Sequence, residues 1–175
     1  MEGVCPYSFE PRYSQTNLEK KNPGDIDKFK GRTGNLLWCS CGFCVQMQTD
    51  MESICCNDFE QICTVMGSCD CITLHSSFEK VVLNIDTLTA ARYHLLLHAS
   101  SYEKERLKET TNNLWRHIAY KQFVYWINGW VPLGKHNRKI IPSCVIQKIR
   151  EEYPEADNNY TGFIPTQGED ANYFD

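Results

Sequence analysis

Eight of the ten cysteines fall in one short stretch: Cys39, Cys41, Cys44, Cys55, Cys56, Cys63, Cys69 and Cys71. Trp38-Cys39-Ser40-Cys41-Gly42-Phe43-Cys44 sets three thiols within six residues, and Gly42 allows a tight turn between Cys41 and Cys44. Neighbouring thiolates at this spacing hold metal. Zinc takes four such ligands in a tetrahedron, so one ion would leave about half the stretch unused. Two ions need eight ligand positions, filled by eight thiolates singly or by six if two of them bridge. The ligand set expected is Cys39, Cys41, Cys44, Cys55, Cys56 and Cys71, with Cys69 and Cys63 as substitutes or neighbours. Cys5 and Cys144 stand apart, and Cys144 reads as a structural thiol between Ser143 and Val145. A disulfide-rich module, a single redox cysteine and an iron–sulfur cluster are the alternatives on cysteine count. His75, four residues past Cys71, is either a further ligand or a capping or surface side chain.

The second concentration is one of charge. Residues 115–150 carry seven basic and no acidic side chains, whereas 151–175 carry seven acidic and no basic ones, within a net charge of −4. The basic stretch is interleaved with Trp115, Tyr120, Tyr125, Trp126 and Trp130, the combination that binds a phosphate and stacks on a base. In Arg116-His117-Ile118-Ala119-Tyr120, residues 116 and 120 share a helix face and His117 points about 100° away. The plainer reading is core aromatics with a solvated basic face. Nucleic-acid binding is disfavoured by the acidic whole. No Walker loop, Gly-x-Ser-x-Gly elbow, His-Glu-x-x-His helix or zinc-deaminase signature is present, so any metal is expected to be structural and the protein not an enzyme.

Positioning these groups falls to a small domain, 175 residues long with 42% hydrophobic side chains. The chain has no apolar run of membrane-spanning length and no secretory leader, which points to a soluble cytoplasmic protein. The expected fold is α+β, mainly helical: a zinc-stabilised knuckle packed on about three helices. Residues 1–34 read as a flexible arm, 35–163 as the domain and 164–175 as a flexible acidic tail. A helix is expected over about 77–98, opened by Ser76 and Glu79 at capping-box spacing. A linker or an exposed helical turn follows over 100–113. A second helix runs from Leu114 to Gly129, and a third starts at Pro142 and stops at Pro154. Arg138-Lys139-Ile140-Ile141 reads as a short extended segment.

These motifs, in order, resemble the cytoplasmic C-terminal (ballast) domain of the subtype-seven P2X purinoceptors. The resemblance is carried by Trp38 to Cys44, Cys55-Cys56, Cys71-Ile72-Thr73, Arg116 to Tyr120, Ile141-Pro142-Ser143-Cys144, Ile149 to Pro154 and Tyr160-Thr161-Gly162-Phe163. It implies a dinuclear zinc site made of cysteines. It also implies a guanine-nucleotide site for GDP or GTP, formed by Arg116, His117 and Tyr120 with Ile141, Pro142 and Ser143. Where the family places basic side chains for phosphate, this chain has Ile146 and Glu155, so that role would pass to Arg138, Lys148 or Arg150. The function expected is a non-catalytic adaptor or regulatory module with an unknown protein partner. The alternatives are a weak GTP hydrolase and a nucleic-acid-binding zinc protein.

Overall fold

The structure is a computed structural model describing residues 27–131, 137–162 and 170–174. Five α-helices organise it: α1 Glu60–Met66, α2 Ile85–His98, α3 Ser101–Lys108, α4 Asn112–Ile127 and α5 Ser143–Glu152. Two three-residue strands, β1 Asn137–Lys139 and β2 Asp170–Asn172, pair in parallel. The fold is therefore mainly helical. A single ladder of this length does not make an independent sheet layer, and the α+β class expected above is corrected to that extent.

α4 is the central element. The Thr111 hydroxyl accepts from Leu114 N at 3.3 Å and caps its first turn, while Leu114, Ile118, Ala119, Phe123 and Ile127 face inward. Its end falls at Asn128, where Gly129 turns the chain with φ 64°. α5 packs on it and buries Cys144, Val145, Ile146 and Ile149 within the domain. Pro142 stands one position outside this helix as its N-cap residue, rather than at the first helical position as expected.

The helix expected over 77–98 is broken in two. A π-helical turn, Glu79–Leu83, ends at Asn84, whose backbone is extended (φ −65°, ψ 122°). The Asn84 side chain then accepts from Asp86 N and Thr87 N to start α2. An asparagine offers the backbone a local partner in place of the helical one, which favours a cap over a helix interior. The Ser76 capping box is absent: Phe78 occupies the N-cap position and its side chain makes no cap hydrogen bond. Of the two alternatives for 100–113, the helical one holds, as the two-turn helix α3. Arg92 on α2 fastens its end, donating from Nε to Leu107 O at 2.6 Å and from Nη2 to Lys108 O at 3.1 Å.

Both ends of the described chain are docked rather than loose. Phe29 and Phe174 are each only 1% exposed, and with Phe59, Tyr173 and Phe123 they form a continuous aromatic cluster. Arg32 pairs with Asp58 at 2.6 Å and lays its guanidinium over the Phe29 ring. The expected arm and acidic tail thus contribute core residues at 29 and 174. The remainder of those calls, residues 1–26 with Cys5, and 164–169 with Asp175, lies outside the described residues. No helix among the described residues is long and apolar enough to cross a membrane.

Candidate metal centre and basic pocket

The knuckle is a loop held by its surroundings. Asp50 accepts from Gly31 N, Thr33 N and the Thr33 hydroxyl at 2.6–2.9 Å, tying the 31–33 turn to the return of the loop. Gly42 adopts φ +77°, the left-handed conformation the Cys41–Cys44 turn needs. Cys55 leads into a 3₁₀ turn, Cys56–Asp58, and Cys71 into another, Ile72–Leu74. Across from them, Ser143 N donates to Ile54 O at 3.0 Å and brings the first turn of α5 against the loop.

These contacts assemble two groups of four thiols. Cys39, Cys41, Cys44 and Cys55 form one; Cys41, Cys56, Cys71 and Cys144 form the other, the sulfurs of each lying within 4.8 Å of one another. Cys41 belongs to both. Seven thiols with one shared give the eight ligand positions that two tetrahedral ions require, a solution between the six- and eight-thiolate sets expected. Cys144, expected to stand apart, is brought into the second group by α5. Cys63 and Cys69 lie outside both groups, and the Cys63 sulfur sits near the Cys56 and Asn57 carbonyls instead. His75 is also outside them. Its Nδ1 accepts from Ser77 N at 3.1 Å and its ring lies 5.3 Å from that of Trp126, so it serves as a cap.

The spacing suits zinc. A tetrahedron whose vertices lie about 2.3 Å from its centre has edges of about 3.8 Å. Cys39–Cys41, Cys41–Cys44 and Cys56–Cys71 are separated by 3.8, 3.7 and 3.8 Å. Electrostatics divide the thiols. Hydrogen bonding from Cys144 first, then Phe43 N, holds the Cys41 thiol below its ordinary range, and Cys144 followed by Cys56 and Thr73 does the same to Cys71. Cys44 and Cys56 lower Cys55 likewise. Against the pull of Cys144, hydrogen bonding to Cys55 and burial push Cys44 up, and Cys55 and Cys71 push Cys56 up; Cys144 is itself pushed up by Cys41 first and then by Cys44, Cys56 and Cys71. The protons are shared within the cluster, so only part of the sulfur set is inclined to ionise before a cation binds.

The basic pocket is only partly as expected. Arg116 is 5% exposed on α4. It donates from Nη1 to Tyr153 O at 2.7 Å and from Nη2 to the Glu155 carboxylate, and lies 5.3 Å from the Tyr160 ring centre. Arg150 covers the same ring at 4.4 Å. Tyr120 borders them, its phenol pushed up by burial against the opposing pull of Arg150 and Arg116. So Arg116, Tyr120 and Arg150 converge. His117 is exposed on α4, Lys148 is exposed and paired with Glu151 at 2.9 Å, and the Arg138 side chain lies outside the described residues. Ile141, Pro142 and Ser143 are buried beside the metal centre, which leaves them little surface for a ligand. Ile146 is buried in the core, and Glu155 turns its carboxylate onto Arg116. Glu155 stands at the position noted above as a family phosphate contact, whereas Tyr160 was not expected in the pocket, although it opens one of the motifs noted above.

A small, mainly helical domain built around a cysteine cluster able to hold metal is thus the class that fold and site define. Comparison with known proteins gives the family. The family model described as the P2X purinoreceptor 7 intracellular domain matches residues 8–164, and the chain belongs to that family. The P2X purinoceptor 7 of Mus musculus is 33% identical over 129 residues, 72% of this chain and 20% of the receptor. That of Rattus norvegicus is 32% identical over the same length and shares. The aligned stretch therefore spans about a fifth of those relatives.

Proposed function

We propose that this protein is a non-catalytic, intracellular zinc-binding module whose dinuclear centre fixes the packing of α5 against the knuckle, presenting a surface for regulatory or adaptor contacts with a protein partner. The observation that carries this reading is the pair of four-thiol groups joined through Cys41, at separations that match a zinc–sulfur tetrahedron. Cys39, Cys41, Cys44 and Cys55 would hold one ion, and Cys41, Cys56, Cys71 and Cys144 the other. When bound, zinc supplies structure rather than chemistry, because each group already fills four positions and leaves none open to substrate. Family membership supports an intracellular setting.

Metal analysis of untagged protein tests this. Close to two zinc ions per chain is expected; one ion, or iron with visible absorbance, overturns it.

Guanine-nucleotide binding, implied by the family resemblance, fits this chain poorly. The buried Arg116 is already neutralised by Glu155, and Ile146 and Glu155 replace expected phosphate partners. Both alternatives are testable directly. GTP turnover above buffer would support a hydrolase, and salt-dependent binding of an oligonucleotide would support a nucleic-acid role.

A further inference from the structure

The poor fit at Arg116 comes from the chain itself. We propose that residues 153–160 form a built-in plug over an anion-binding pocket: the Glu155 carboxylate takes the place of an external anion on Arg116, and the Tyr160 ring takes the stacking place of an aromatic ligand between Arg116 and Arg150.

The contacts divide into a donor set in the domain and a cap supplied by the plug. The Arg116 side chain is 6% exposed and that of Glu155 34%, so the carboxylate reaches a buried guanidinium from the solvent side. Both terminal nitrogens of Arg116 are spent on the plug, one on Tyr153 O and one on Glu155. Arg116 and Arg150 both address Tyr160, with ring distances of 5.3 and 4.4 Å. Glu155 N donates to the Tyr160 hydroxyl at 3.1 Å, and Asn158 N to Glu155 O at 3.2 Å, which closes the segment on itself. Asn112 at the start of α4 holds it down through Pro154 O at 2.8 Å.

A separate observation shows that the donor set exceeds what the plug uses. Arg150 Nε is buried with no hydrogen-bond partner among the described residues. Buried donors of this kind are ordinarily satisfied, and an unsatisfied one beside a buried guanidinium is a place suited to an anion's oxygen. Two guanidiniums and the Tyr120 phenol around one aromatic slot favour an anionic ligand bearing a flat ring, such as a nucleotide. The plug supplies carboxylate and ring from within, and the pocket is self-occluded. Removing Glu155 leaves a buried cation without its counter-charge, which an external anion then restores.

Thermal melting and calorimetry of the full chain test this at constant ionic strength, with GDP, inorganic phosphate and guanosine as probes on wild type, Glu155→Ala and Glu155→Gln. Wild type should respond to none. Both variants should melt lower without ligand and be raised by GDP, less by phosphate and least by guanosine, with GDP affinity at least about tenfold above wild type. Glu155→Gln keeps the side-chain volume and reads out the charge if Glu155→Ala does not fold. GDP stabilising wild type as much as the variants would show an open pocket and overturn the plug, as would variants that ignore GDP. Zinc content should be equal in all three chains. This separates the plug from the metal reading, and a variant that lost zinc would overturn the local assignment.

Discussion

Cys41 in the knuckle and Cys144 on α5 lie within one four-thiol group, their sulfurs no more than 4.8 Å apart, although most of the domain separates them in sequence. Cys41 is at the same time a member of the other group. Through this pair the two candidate ions and α5 would become one unit, coupling metal binding to the packing of α5 against the knuckle.

Replacing Cys144 with Ser should therefore do more than remove a buried thiol. It should lower bound zinc and loosen α5, seen as a large fall in melting temperature and abolition of the further drop normally caused by a chelator. Cys63→Ser, outside both groups, should leave zinc content and the melt near wild type. Equal behaviour of the two variants would reject the assignment.

Between the two groups the roles differ by position. Cys39→Ser touches the first ion alone, so about one zinc per chain should remain; Cys41→Ser removes a ligand from both and should cost more than one. Direct metal analysis of the two purified variants compares them, and identical zinc loss would argue against a shared sulfur.

How far the sequence was legible follows from the range of each interaction. Cys39, Cys41, Cys44, Cys55, Cys56 and Cys71 could be read as a metal cluster because their spacing is local, and α4 and α5 because their apolar residues recur at helical intervals. Cys144 could not, since its role depends on the long-range contact from Ser143 N to Ile54 O. The break at Asn84 was hidden because Val81, Val82, Ile85 and Leu88 keep a helical rhythm across it. α3 could be read only as one of two alternatives, because its sequence is strongly polar and it is held by Arg92 from outside. Glu155 could be placed at a family phosphate position from the motif order, but its ion pair with Arg116 depends on the fold.

Asn84→Ala removes the acceptor for Asp86 N and Thr87 N at the start of α2. A loss of about 1 kcal/mol is expected, the ordinary cost of an N-cap. Urea unfolding should show a lower midpoint at unchanged slope, while an unchanged midpoint would mean that packing of Leu88, not the cap, starts the helix.

Phe174 is 1% exposed against Phe59 and Phe123. Phe174→Ala should destabilise by about 3–5 kcal/mol, the range for a buried phenylalanine. A freely moving acidic tail would instead give almost no change in the denaturation midpoint, so this single variant decides whether the C-terminal residues belong to the core.

The Asp50 carboxylate gives a prediction in pH. The Thr33 hydroxyl, then the N–H groups of Gly31 and Thr33, hold its pKa down to about 2, against about 3.9 in an unfolded chain. A depressed folded value means that the ionised form is bound more favourably in the native state. The stability this contributes is present above about pH 4 and is lost as the pH falls through the folded value near 2. Asp50→Asn keeps the shape and gives up the charge, so wild type should exceed it at neutral pH by a margin that is constant down to about pH 5 and narrows toward pH 3. Protonation of the metal-site thiolates weakens both chains alike in acid, which makes the difference between their urea midpoints the quantity to measure. A margin that stayed constant through that window would show that the Asp50 charge does not hold the 31–33 turn to the knuckle.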